Sequence, residues 1–91
     1  MGTQLKKCMD QLMEEPGMLS VVCADEQGLT ISQKEAPNHK AISAAARDIL
    51  ELAKKLGHCR QTPTVTLKGS GSNITIAQDI SVITILQRKN A

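Results

Sequence analysis

No phenylalanine, tyrosine or tryptophan occurs anywhere in the 91 residues, so any core has to be assembled from Leu, Ile, Val, Met and Ala. Each aromatic ring would have brought roughly 150–250 Å² of burial. A chain of this length buries only about 60–65% of the surface it exposes when unfolded. The driving force for folding is therefore thin, and a partner subunit that covers apolar surface is a natural remedy. The length supports one domain, residues 1–91.

Charge narrows the partner classes. Eleven basic residues against nine acidic ones leave +2, and the basic ones are dispersed from Lys6 to Lys89 rather than clustered. A surface that tracks phosphates needs clustered cations, and readers of single strands add aromatic platforms, which are absent here. Nucleic acid is not an expected partner. Cys8, Cys23 and Cys59 form an odd set with no Cys-x-x-Cys spacing, and no N-terminal apolar segment resembles a signal peptide. A reducing, cytoplasmic setting fits, and there the Asn73-Ile74-Thr75 sequon stays unused. Met1-Gly2 lacks the hydroxyl that a myristoylation pattern wants at the sixth position, which holds Lys6. No apolar run approaches the ~20 residues that span a bilayer, so direct membrane insertion is not expected and any membrane location is borrowed from a partner.

Along the chain, Leu5, Cys8, Met9, Leu12 and Met13 recur at helical spacing ahead of Pro16-Gly17 and predict an amphipathic helix over residues 3–15, with Thr3 as a cap. Met18 to Ala24 is almost continuously apolar and β-branched, as in a central strand buried on both faces. Asp25-Glu26-Gln27-Gly28 supplies turn residues before the alternating Leu29 to Ser32, which predicts a hairpin. A helix follows from about Asn38 to Leu56, with Gly57 as its stop. After the loop from His58 to Pro63, Thr64 to Lys68, Asn73 to Ala77 and Ser81 to Arg88 read as three strands of a meander. The order α-β-β-α-β-β-β predicts an α+β fold, a five-stranded antiparallel sheet with helices on both faces.

The second helix carries more apolar circumference than one sheet needs. Ala41, Ile42, Ala45, Ala46, Ile49, Leu50, Leu52, Ala53 and Leu56 fall within an arc of about 180°, whereas a helix resting on a single sheet requires about 100°. The surplus, rich in small alanines, predicts a second packing partner that approaches closely.

Candidate chemistry is weak by comparison. His58 and Cys59 are adjacent, but neighbouring side chains in a loop diverge, and nucleophilic catalysis needs a hydrogen-bonded pair with an orienting third group. Cys8, Cys23, Cys59, His39 and His58 show none of the spacings of a zinc site. Gly69-Ser70-Gly71-Ser72 lies between two strands, whereas a phosphate cradle leads into a helix. Glu14-Glu15 and Asp25-Glu26 lie in segments with no sign of a cleft. No catalytic, cofactor-binding or metal-binding residue is expected, and the chain reads as a non-enzymatic adaptor.

Beyond these readings, Pro16-Gly17-Met18-Leu19, the run Val22-Cys23-Ala24-Asp25-Glu26-Gln27-Gly28-Leu29, Asn73-Ile74-Thr75-Ile76 and the short C-terminal strand resemble the Ragulator subunit family of the hepatitis B X-interacting protein type. The likeness covers nearly the whole chain, and the Cys-x-Asp-x-Gln-Gly-Leu hairpin is its most specific element. It implies a roadblock/longin, profilin-like fold and membership in a scaffold on late endosomes and lysosomes, anchored through another, lipidated subunit. That scaffold recruits Rag GTPases, for this subunit at the level of the whole complex, and supports amino-acid signalling to the target-of-rapamycin kinase. The resemblance further implies pairing with another roadblock-fold subunit through the second helix and the adjoining edge strand. On this chain those are Ala41, Ile42, Ala45, Ala46, Ile49, Leu50 and Ala53, with Thr64, Val65, Thr66, Leu67 and Lys68. A homodimer of the isolated chain is compatible with the same face. Two alternatives stand beside this reading: a dynein-associated roadblock-type light chain acting as a homodimer, and a small enzyme with Cys59 as nucleophile.

Overall fold

In the computed structural model, residues 2–57 and 63–90 are described, so the His58-Cys59 pair lies outside the described residues. The first helix, α1 (Gly2–Met13), turns Met9 fully inward and half-buries Leu5, Leu12 and Met13. It begins one residue ahead of Thr3, which therefore sits inside the first turn rather than at the cap. Cys8, grouped with the apolar side by its spacing, is exposed. Backbone bonds from Glu14 to Gln11 and from Glu15 to Leu12 tighten the end of the helix, and Gly17 follows at φ +81°.

Five strands follow the order read from the sequence: β1 (Met18–Ala24), β2 (Thr30–Lys34), then helix α2 (His39–Leu56), β3 (Val65–Lys68), β4 (Ser72–Asp79) and β5 (Val82–Lys89). They form one antiparallel sheet in the order β2-β1-β5-β4-β3. β1 is an interior strand, paired along both sides, but the middle place belongs to β5. Leu29, expected in the second strand, belongs to the turn instead. Its N–H donates to the Asp25 carboxylate at 3.0 Å and its carbonyl accepts from the Asp25 N–H at 2.9 Å, so no backbone group is left for a ladder.

Side-chain alternation sorts the core into two layers. Val22, Ala24, Ile76, Ile83 and Ile85 meet Ala46 and Leu50 of α2 on one face, while Met18, Val21 and Cys23 meet Met9 of α1 on the other. α1 packs on β1 and β2, with Lys34 of β2 bridged to Asp10 at 2.9 Å. One row across that second face reads Thr66, Thr75, Leu86 and Val21. Its threonine end, beyond the reach of α1, is polar as expected of a solvated sheet face.

The roll of α2 about its own axis decides what the molecule shows outside, and two local devices set it. Ser43, fully buried, lies 2.7 Å from the Thr30 hydroxyl, which also stands 3.0 Å from Nδ1 of His39. Gly28, at φ +85°, lets the β1–β2 turn press against the helix so closely that a Cβ there would meet Arg47 Cβ at 3.2 Å and the Ser43 carbonyl oxygen at 3.3 Å. With Ser43 drawn to β2 and Arg47 against the turn, Ala46 and Leu50 point into the sheet. The helix ends at Gly57, whose N–H donates to Ala53; its backbone is extended, so glycine is not required there by a left-handed φ.

Candidate functional site

Opposite its buried line, α2 presents Ala41, Ala45, Leu52 and Leu56 to solvent, the two leucines at 61% and 85% exposure. Ile42, Ile49 and Ala53 lie half-buried between the two lines. Ile42 and Ile49, together with Val65 of β3 and Ile74 of β4, pack against the margin of the core. The apolar flank of the helix thus continues onto the edge of the sheet, where Leu67 is 42% exposed. Thr64 lies just ahead of β3, and Thr64, Thr66 and Lys68 are exposed.

The structure redistributes the residues expected at a pairing face. Ala46 and Leu50 are consumed by the chain's own core and offer nothing to a partner. Ala41, Ala45, Ile42, Ile49 and Ala53 fall on or beside the outward flank, with Val65, Thr66, Leu67 and Lys68 along the neighbouring edge. Leu52 and Leu56 were inside the predicted apolar arc but outside the predicted face, and they are its most exposed large side chains. The arc carried the signal; the direction of the sheet did not follow from it.

The two free sheet edges differ. β3 pairs with β4 in unbroken register from Val65 opposite Ile76 to Lys68 opposite Asn73. The bond from the Gly69 N–H to the Ser72 carbonyl at 2.9 Å fixes the alternation, so the main-chain groups of Thr66 and Lys68 point to the open side. β2, in contrast, is interrupted where Cys23 pairs with Ser32 but Ala24 with Thr30, which leaves Ile31 as a bulge. Its far end is tied by Lys34 to α1. Bulges and lysines discourage strand addition; β3 carries one lysine, Lys68, but no bulge, and so is the more regular of the two edges.

Burial pushes the Cys23 thiol upward, opposed by a hydrogen bond with Thr84 and reinforced by the nearby Cys8. Among the described residues, no cluster of His, Cys, Asp and Glu is placed to hold a metal ion, and no helix is long and apolar enough to cross a membrane. A shallow polar groove between α2 and the hairpin tips is lined by Glu26, Arg47, Glu51, Lys54 and Gln78. Its charges are of mixed sign, and Arg47 and Lys54 already stand 3.3 and 3.4 Å from Asp48 and Glu51.

An apolar helix flank running onto an open sheet edge is a feature of shape, and comparison with known proteins gives it a lineage. The family described as Ragulator complex protein LAMTOR5 matches residues 1–88. The chain belongs to that family. A Ragulator complex protein LAMTOR5 homolog of Nematostella vectensis is 31% identical over 77 residues, which are 84% of each chain. Solved structures share the fold at lower identity. Myxococcus xanthus MglB superposes with a TM-score of 0.82 at 18% identity, over 97% of this chain and 77% of that one. A Roadblock/LC7 domain from Streptomyces avermitilis gives 0.77 at 15% identity, over 89% and 74%. The five-stranded antiparallel sheet with its two helices is therefore the roadblock/LC7 fold.

Proposed function

We propose that this chain is a non-enzymatic scaffold subunit, of the hepatitis B X-interacting protein type, that pairs with another roadblock-fold chain inside a Ragulator assembly. The outward flank of α2 and the open edge of β3 form the pairing face. The paired subunits are held at the late endosomal and lysosomal surface by a lipidated partner. There the assembly recruits Rag GTPases and supports amino-acid signalling to the target-of-rapamycin kinase. Family membership favours this role over that of a dynein-associated light chain.

The observation that carries the proposal is the apolar margin that Ile42 and Ile49 of α2 form with Val65 and Ile74 of the sheet, flanked by exposed Leu52 and Leu67, in a chain with no aromatic residue to strengthen its core. Fully burying one leucine side chain contributes about 1.5–3 kcal/mol. Covering Leu52 and Leu67, each already partly covered, therefore contributes on the order of 3 kcal/mol before association costs, a substantial fraction of a small domain's stability. Backbone hydrogen bonds from Thr66 and Lys68 would add direction, as in other strand additions.

Co-expression with a roadblock-fold Ragulator subunit, followed by size-exclusion chromatography with light scattering, tests the face. Ala45→Glu and Leu52→Asp are expected to convert a stable pair into separate chains and to release the tagged protein from lysosomes. Undiminished pairing by both variants would refute the assignment.

A further inference from the structure

From Pro63 to Gln78, a stretch that holds β3 and all but the last residue of β4, Lys68 is the only charged residue. It closes the regular edge of the sheet, is exposed, and forms no ion pair among the described residues. Its place is braced from the next strand but one. The Asn90 side chain donates to the Gly69 carbonyl at 2.9 Å and the Asn90 N–H to the Gly71 carbonyl at 3.1 Å, so the residue that follows β5 holds the β3–β4 turn. We infer that Lys68 selects the strand that joins this edge: it favours a partner strand with an aspartate or glutamate opposite it and disfavours a second copy of this chain. This rests on the pairing through β3 proposed above and goes further by naming what the partner strand must carry.

The alternation of β3 dictates the arrangement. The main-chain groups of Thr66 and Lys68 point to the open side, so an antiparallel strand joining there sets one residue directly opposite each of them, with Cβ atoms about 4.5–5.5 Å apart. The Lys68 side chain stands on the face turned away from α2, in one row with Asn73 and Arg88, while Val65 and Leu67 stand on the face that carries α2. Within its own sheet the lysine has no counter-charge: Asn73 is neutral, and Arg88 is a cation itself, held by Glu15. A second copy supplies none either. Outward positions pair with outward positions, so the copy sets Thr64, Thr66 or its own Lys68 opposite, according to register, and no residue from Pro63 to Gln78 is an acid. A lysine on an edge discourages strand addition in general. A carboxylate opposite turns that deterrent into an attraction, and like charges or a missing counter-charge exclude the wrong partner. The fitting strand therefore alternates, apolar opposite Leu67 and acidic opposite Lys68.

Sedimentation equilibrium on the full chain tests this with an acid-edged copy as the probe. In that copy Thr64→Glu, Thr66→Glu and Lys68→Glu, all at exposed positions, set a carboxylate opposite the native Lys68 in each of these registers. An equimolar mixture with the native chain is expected to form mixed pairs on the order of tenfold more tightly than either chain pairs with itself, an advantage that shrinks at high salt. Native self-association as tight as the mixed pair, or a mixture without mixed pairs, overturns the inference. Against a roadblock-fold Ragulator subunit, Lys68→Glu alone is expected to weaken pairing on the order of tenfold, and an unchanged affinity overturns the inference as well. Thr66→Pro separates the two failures: the Thr66 N–H faces the open side, so the ladder to β4 is kept and only strand addition is blocked. If Thr66→Pro abolishes pairing with the Ragulator subunit while Lys68→Glu does not, the edge stands and only the role of Lys68 falls; if Thr66→Pro has no effect, pairing through β3 falls too.

Discussion

Replacing Gly28 with alanine probes the contact that fixes the roll of α2, and its cost can be worked from the geometry. At φ +85°, a residue with a Cβ is disfavoured by about 1–2 kcal/mol. The new methyl would also stand 3.2 Å from Arg47 Cβ, 3.3 Å from Ala44 Cα and 3.3 Å from the Ser43 carbonyl oxygen. All three belong to the helix backbone or the root of a side chain, so none can rotate away, and the helix must retreat by a few tenths of an ångström. Overpacking of this kind costs about 1–3 kcal/mol. The expected loss is about 2–5 kcal/mol from a total of about 5–14 kcal/mol for a chain of this size. Urea unfolding followed by far-ultraviolet circular dichroism measures it, since the chain has no tryptophan or tyrosine to report by fluorescence. Gly71→Ala is the matched control: no atom lies within 4 Å of a Cβ there, and its effect is expected within about 0.5 kcal/mol. If Gly28→Ala proves no more costly than Gly71→Ala, the turn does not hold the helix in place.

Other substitutions separate folding from pairing. Leu50→Asp places a charge in the α2 layer of the core and is expected to cost more than about 4 kcal/mol, seen as lost helical dichroism; Leu52→Asp is expected to leave the melting curve of the isolated chain within about 0.5 kcal/mol. Ile80, at the tip of the β4–β5 hairpin with φ +58° and 91% exposure, holds a conformation that β-branched residues avoid. Ile80→Gly is expected to raise stability by about 1 kcal/mol, measured as a shift in the urea midpoint. Iodoacetamide followed by peptide mass spectrometry is expected to label exposed Cys8 rapidly and Cys23 only on unfolding, because burial holds Cys23 as the neutral thiol. The same upward shift gives a sign in pH. Its stabilising contribution is whole below the ordinary thiol pKa of about 8.5 and declines above it, as the unfolded chain releases the proton first.

What could be read from the residues depended on how local the cause was. The span of α2 from His39 to Leu56 and the bounds of β1 follow from periodicity, and the Gly28 turn from the residue itself, because neighbours within a few positions decide them. Leu29 looked like a strand residue because its capture by Asp25 is a hydrogen bond, invisible to alternation. Ala46, Leu50, Leu52 and Leu56 all sat in one apolar arc, and an arc has no inside until something orients it. The Thr30–Ser43 bond and the close approach of Gly28 do so, and both join segments more than ten residues apart. The central place of β5 and the bulge at Ile31 likewise depend on which strands meet, which no single segment records.

That bulge has a consequence for how far assembly can go. Sheet addition propagates only when every added unit offers a fresh template on its far side; here one margin is regular and the other is kinked and pinned by Lys34 to Asp10. The pairing proposed through β3 would leave only blunted margins on this chain, which gives it a valency of one in that direction. Such a unit would terminate growth and give a closed pair of defined mass instead of a fibre.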